Sequence, residues 1–358
     1  VHVDVNGENV LYATWIEKRV ITVKAKSGTA TYTGKEHKVE GFEATEFTVD
    51  GNKYKVEGLT ASGAAGTDAG TYTSKVTGTA VVKDAAGNNV TKQFTVKTEN
   101  GSLLINRKKY SVETLDGNKT YDGTPLTAGA KINGIIEGEV VEIKTTKSLT
   151  DVGNILNDKY ELTWTTAKVT NYKLDGEKFG TLTVTVQSID PGTDPDKPNP
   201  DYTGAKVNSP KDAVYDGNEH KWIPTVTDKA DKKLKAGTDY TVEYSTSDFT
   251  NVGTIKVTIT GKGNYTGTVT RTYKITPKSV TVTAEDKTKV FGETDPKLTA
   301  KVAGTLGNDT VDYKLSRKDG EAAGKYEITV KGDKLQGNYT VTYVAGTLTI
   351  TSQSIDPG

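Results

Sequence analysis

The sequence predicts an all-β protein: tandem Ig-like β-sandwich domains in an elongated array, with small β-grasp-like domains as the alternative. Three observations predict it. Runs such as Thr181-Leu182-Thr183-Val184-Thr185-Val186 and Lys256-Val257-Thr258-Ile259-Thr260 alternate apolar and hydroxyl side chains. That period of two suits a half-buried antiparallel strand. Short turn motifs recur along the chain. No stretch of useful length carries an apolar stripe of helical period, and the segment 108–115 is too short and too β-branched to do so.

The turns order the chain. Tyr32-Thr33-Gly34, Tyr121-Asp122-Gly123 and Tyr215-Asp216-Gly217 are followed by a degenerate fourth copy, Val290-Phe291-Gly292-Glu293. In each, glycine supplies a left-handed turn residue and the aromatic covers the edge of a core. A second turn follows each of them: Asp68-Ala69-Gly70, Asp151-Val152-Gly153, Asn251-Val252-Gly253 and Ala322-Ala323-Gly324. A third mark is Asn171-Tyr172, Asn264-Tyr265 and Asn338-Tyr339. The first domain lacks it and has Asn88-Asn89-Val90 in the comparable region. The string Gln-Ser-Ile-Asp-Pro-Gly stands at 187–192 and again at 353–358, and after its first copy a Pro/Asp-rich run reaches Asp201. Such a run reads as an extended, semi-rigid spacer.

These marks divide the chain into a tail of a preceding domain (1–17), a divergent Ig-like domain (18–106), a Tyr-Asp-Gly-type β domain (107–187), an Asp/Pro-rich linker (188–201), a second Tyr-Asp-Gly-type domain (202–277), a fourth domain (278–352) and the start of a next linker (353–358). Four such domains in line would span about 130–160 Å from strand rise and loops.

The repeated strings resemble the MBG-type domains, with the related YDG-type repeat, of bacterial cell-surface adhesins. The resemblance rests on Tyr-Asp-Gly at 121–123 and 215–217, on the string from Phe291 to Thr299, and on Gly-Asn-Tyr-Thr at 263–266 and 337–340. It covers residues 18–352, is closest over 278–352 and weakest over 18–106. It implies Ig-like β folds strung as stalks on Gram-positive or other bacterial surfaces, with a ligand-binding head elsewhere. It brings no catalytic residues.

Composition bounds the chemistry. Of 358 residues, 46 are Lys or Arg and 46 are Asp or Glu. A net charge of zero argues against nucleic acid, which needs a basic excess or stripe. No apolar run is long enough to span a membrane. The absence of Cys excludes disulfides, zinc knuckles and thiol catalysis. The chain begins at Val1 and contains no Met, as expected of a mature fragment or excised segment. A cysteine-free surface stalk admits another cross-link, an amide between a buried Lys and an Asn or Asp, assisted by a carboxylic acid. The sequence does not locate those three groups.

Other candidates each have a plain structural reading. One Asp per Tyr-Asp-Gly turn falls far short of the six to eight oxygens that Ca²⁺ takes. His37 and His220 occupy matched positions, Gly-Lys-Glu-His-Lys and Gly-Asn-Glu-His-Lys, but only His2 exists besides them. They read as strand-surface residues with Glu36 and Glu219 on the opposite face. No Gly-x-Ser-x-Gly elbow appears, and Gly261-Lys262-Gly263 is no phosphate loop. Trp15, Trp164 and Trp222 are too sparse for a sugar-stacking surface and read as core. The expectation is therefore a non-enzymatic extracellular segment, cell-wall-anchored or secreted, monomeric, with no cofactor and no metal. It acts as a stalk projecting a binding head. In the alternative, its domains, 18–106 above all, bind a host protein or glycan such as mucin, matrix protein or immunoglobulin.

Overall fold

The computed structural model describes residues 2–3, 9–10, 17–191 and 205–353. The chain falls into two compact units. One comprises Val1–Asn118, Pro125–Leu149 and Asn154–Thr183; the other comprises Lys119–Thr124, Thr150–Gly153 and Val184–Gly358. Strands dominate both, and the described residues contain only two 3-10 turns, Thr91–Gln93 and Val169–Asn171, as helical structure. A β-grasp domain requires a helix packed on its sheet, so the sandwich reading holds and the alternative falls.

The fourth domain shows the plan most completely. One sheet orders Ala300–Ala303, Lys278–Ala284, Tyr339–Val344 and Leu335–Gln336; the other orders Lys287–Val290, Gly346–Thr351, Gly324–Lys331 and Lys314–Arg317. The period-two pattern sends Val280, Val282, Val341, Ile328, Leu348 and Ile350 inward, where all are buried. Each such side chain removed from water contributes about 1.5–3 kcal/mol. The intervening Thr281, Thr283, Thr347 and Thr349 are half-buried, whereas Lys289 is a buried charge in the second sheet.

The pairing is mixed, against the antiparallel expectation. In each domain the first strand runs parallel to a strand from the second half. The pairs are Arg19–Lys24 with Phe94–Glu99, Lys108–Thr114 with Tyr172–Lys178, Gln187–Ser188 with Tyr265–Thr266, and Lys278–Ala284 with Tyr339–Val344. Alternation cannot distinguish these arrangements, because one buried face gives the same period in either direction.

Two boundaries change. Gln187–Ser188 is the first strand of the third domain, and Ile189 is fully buried. Lys206–Val207, beyond the Pro/Asp-rich run, pairs with Val226–Thr227 of that same domain. The strands on both sides of the run 192–204 therefore pair within the third domain, so that domain begins at Gln187, before the run, and not at 202. The run's own residues lie outside those described, as do most of the 1–17 tail and residues 354–358.

The other correction concerns the first domain. Phe94–Glu99 starts after the 3-10 turn Thr91–Gln93, as Tyr172–Lys178 starts after Val169–Asn171. Gln93-Phe94 is thus the geometric counterpart of Asn-Tyr, and Phe94 is buried edge-on against Tyr54 with centroids 4.7 Å apart. Asn88 and Asn89 instead close a loop through Asp84 and Thr91.

Candidate functional site

The three repeated motifs meet. Each Asn-Tyr pair docks onto the two turns of the domain before it, and three such joints are present among the described residues.

In the first, Asn171 is fully buried and accepts the Ala69 backbone N–H at 2.8 Å, while its amide donates to Asp68 Oδ1 at 2.8 Å. Lys168 adds an ion pair to Asp68 at 2.8 Å. The Tyr172 ring meets Tyr32 edge-on, centroids 5.6 Å apart at 78°. The second joint repeats this inside the other unit. Asn264 accepts Val152 N–H at 2.8 Å and donates to Asp151 at 2.9 Å, and Tyr265 meets Tyr121 at 5.5 Å and 83°. In the third, Asn338 accepts Val252 N–H at 2.9 Å and donates to Asn251 at 2.8 Å, with Tyr339 against Tyr215 at 5.6 Å and 89°. A carboxamide suits the position because it offers one acceptor and one donor side by side, matching a backbone N–H and a neighbouring side-chain oxygen. Edge-to-face rings add about 0.5–1.5 kcal/mol per pair beyond their burial.

The tyrosine hydroxyls are anchored in their own domains. Tyr172 donates to Glu139 at 2.8 Å and accepts Ile136 N–H at 3.1 Å. Tyr339 donates to Asp309 at 2.5 Å and accepts Leu306 N–H at 3.0 Å. Tyr265 bonds Asp228 at 3.3 Å. Tyr32 also donates to Glu139, so that carboxylate joins two domains. The side chains of Ile136 and Leu306 sit over Gly34 and Gly217, where an added Cβ would lie 3.7 and 3.5 Å from them.

The turns are built locally. Gly34, Gly123, Gly217 and Gly292 take φ of 74°, 78°, 81° and 90°. Asp122 accepts Thr124 N–H at 2.8 Å and Lys119 Nζ at 2.7 Å; Lys119 foremost holds its carboxyl well below the ordinary range. Asp216 accepts Asn218 N–H at 2.9 Å and contacts His220 Nε2 at 2.8 Å. His37 reaches Thr33 in the same way at 2.9 Å. The matched histidines therefore tie back the middle residue of their turns. His37 opens a short strand, whereas His220 lies outside any strand, against its expected strand-surface placement. Among the described residues no group of three or more His, Asp or Glu is arranged to hold a metal. Trp164 packs on Tyr110 and Tyr172 within the first joint, Trp222 is half-buried in the third domain, and Trp15 lies outside the described residues.

Burial, followed by the Glu139 carboxylate, pushes the Tyr172 hydroxyl up to about 12. A hydroxyl held above its ordinary 10.0 stabilises the fold fully below that pH, and this contribution is lost as pH rises through about 12. The melting temperature is expected to hold up to the ordinary value and fall beyond it. In Tyr172→Phe the fall should be shallower, as read by calorimetry across alkaline pH.

The degenerate fourth turn carries an ion network. Lys289, with its side chain 3% exposed, contacts Asp295 at 2.7 Å and Glu321 at 2.5 Å. Arg317 holds Asp295 at 2.5 Å and also bonds Glu321. These are the groups of a Lys–Asp amide cross-link, but that bond forms from a neutral amine and a protonated carboxyl. Here Arg317, then Lys289, pull Asp295 down to about 2, and Asp295 and Glu321 raise Lys289. The intact mass is expected to match the unmodified sequence, with no loss of water. A carboxylate depressed from 3.8 to about 2 stabilises the fold above its ordinary value and loses that contribution as pH falls toward 2. Asp295→Asn should therefore flatten the acid limb of the fourth domain's melting curve, measured against pH.

Residues 280–349 match the family model described as MBG domain (YGX type), so the fourth domain is an MBG domain. No curated protein sequence matches the chain. Among solved structures, the extracellular cadherin domains 3-6 of Protocadherin Gamma B2 show 12% identity over 95% of this chain and 99% of that one, with a TM-score of 0.23. Domains 4-9 of the surface layer protein SbsC show 13% identity over 89% and 64%, with a TM-score of 0.20. The Bacillus anthracis TIE protein shows 9% over 92% and 73%, with a TM-score of 0.24. Superpositions this loose carry no argument; the all-β repeat architecture rests on the strands and joints described above.

Proposed function

We propose that this chain is a structural stalk of a bacterial cell-surface adhesin, projecting a binding head from the cell wall, and that it is neither an enzyme nor itself the head. The observation that carries this reading is the repeated joint: each pair of successive domains is closed by the same carboxamide and aromatic contacts. A repeat array in which each domain grips only its neighbour transmits position along its length, which is what a spacer needs. The MBG domain at 280–349 supports the surface location, by resemblance to domains of surface adhesins. Small-angle scattering of the purified chain tests it. An extended monomer supports the stalk, and a compact globular profile rejects it.

The adhesive alternative centres on the first domain. Its long strands Asn52–Ala61 and Val76–Asp84 have no counterpart of that length in the MBG domain, and a cavity of about 480 Å³ opens beside them, lined by Phe47, Tyr54, Lys55 and Asp84 among others. Binding of mucin glycans, matrix proteins or immunoglobulins that persists in the intact chain and vanishes with Tyr54→Ala would favour it over the stalk.

A further inference from the structure

Three aromatic residues of the first turns are covered by the next domain: Tyr32 is 5% exposed, Tyr121 7% and Tyr215 9%. Phe291 holds the same place in the fourth domain and is 49% exposed. Beside it stands the turn Ala322-Ala323-Gly324, whose Ala323 N–H is the equivalent of the amides that Asn171, Asn264 and Asn338 hold at the other joints. The strand leading away from this face supplies a third correspondence. Gly346–Thr351 and the two residues after it read Gly-Thr-Leu-Thr-Ile-Thr-Ser-Gln, against Gly-Thr-Leu-Thr-Val-Thr-Val-Gln at 180–187. Gln187, the last residue of the earlier copy, already pairs with the docked Tyr265, and its N–H donates to Asn264 O at 3.0 Å.

We propose that the face formed by Phe291, Gly292, Ala323 and Gln353 is a docking site for a further β domain of the same type, joined through Gln353, two residues past the strand Gly346–Thr351, and presenting an Asn-Tyr pair. Its tyrosine ring would stand edge-on to Phe291, and its asparagine oxygen would accept the Ala323 N–H. Ala322 offers no side-chain oxygen where Asp68, Asp151 and Asn251 do, so the asparagine amide loses one partner. This joint is therefore weaker than the three internal ones. The proposal rests on the joint geometry and stands whether the array is a stalk or an adhesive surface.

The test extends the full chain beyond Gly358 with a second copy of residues 193–358, so that Gln353–Gly358 stands where Gln187–Gly192 stands. Hydrogen exchange is then compared between the parent and extended chains. Exchange at Ala323 is expected to slow by at least about tenfold, approaching that of Val152 and Val252. Asn264→Ala in the appended copy alone should abolish the slowing, and Phe291→Tyr should preserve it. Protection of the appended copy's own Val252 reports that it is folded. Unchanged exchange at Ala323 overturns the proposal. Because the chain has no cysteine, a second reading is direct: Ala323→Cys with Asn264→Cys in the appended copy should form a disulfide as readily as Val152→Cys with Asn264→Cys in the parent. Failure of the first pair where the second forms also overturns it.

Discussion

Tyr172→Ala is expected to cost about 3–5 kcal/mol and to loosen the joint between the first two domains, since a buried aromatic is removed and its cavity cannot close. The residue is 3% exposed and lies among Tyr32, Tyr110 and Trp164, with Leu103 and Ile105 of the first domain in the same core. The hydroxyl adds to this. Without it, Ile136 N–H loses its acceptor, and Glu139 loses one of the two tyrosines it bridges. Tyr172→Phe isolates that part and is expected to cost about 1–3 kcal/mol, the penalty of an unsatisfied buried donor. The distinguishing measurement is hydrogen exchange at Ala69, which lies across the joint with its N–H donated to Asn171. Exchange there should quicken in Tyr172→Ala. If it stays slow while the whole chain is destabilised, Tyr172 would be a core residue of its own domain and nothing more.

The elements of the joint were legible in the sequence, but their meeting was not. Tyr-x-Gly, the second turn and Asn-Tyr recur with regular order, and turn chemistry explains the glycines and the Asx-type aspartates. Yet the bonds that give them a role join residues 102, 112 and 86 positions apart, across a domain boundary each time. No local pattern encodes a partner at that distance. Gln93-Phe94 escaped because both letters change while the chemistry does not: an amide side chain, then an aromatic, then Thr, as in Asn264-Tyr265-Thr266. Matching residue classes rather than identities would have found it. The Pro/Asp-rich run misled for a different reason. Composition shows that a segment is extended and polar, but whether its two ends belong to one domain is a question of pairing. Gln187–Ser188 and Lys206–Val207 answer it.

A glycine at the base of the segment that cradles the docking tyrosine hydroxyl, Leu306 to Asp309 in the fourth domain, is the other position where a small change should have a large effect. Gly304 follows strand Ala300–Ala303 with φ of 106°, and a Cβ there would lie 2.6 Å from Ser279 O and 3.3 Å from Val280 Cα. Gly134 repeats this after Ala130–Asn133, with φ of 92° and a Cβ 2.6 Å from Lys109 O. In both cases the obstacle is the backbone of the domain's first strand, which no side-chain rotation relieves. Two residues on, Leu306 and Ile136 turn their N–H groups to the docking tyrosines, and Asp309 and Glu139 follow at the same offset. The glycine thus sets the path of the segment that holds the tyrosine. Gly304→Ala combines a disfavoured backbone conformation with overpacking, and about 2–4 kcal/mol of destabilisation is expected. Because Leu306 also rests on Gly217 of the third domain, the variant should quicken exchange at Val252 as well as lower the melting point of the fourth domain. A Gly304→Ala chain with unaltered exchange at Val252 would show that the cradle and the joint are built independently.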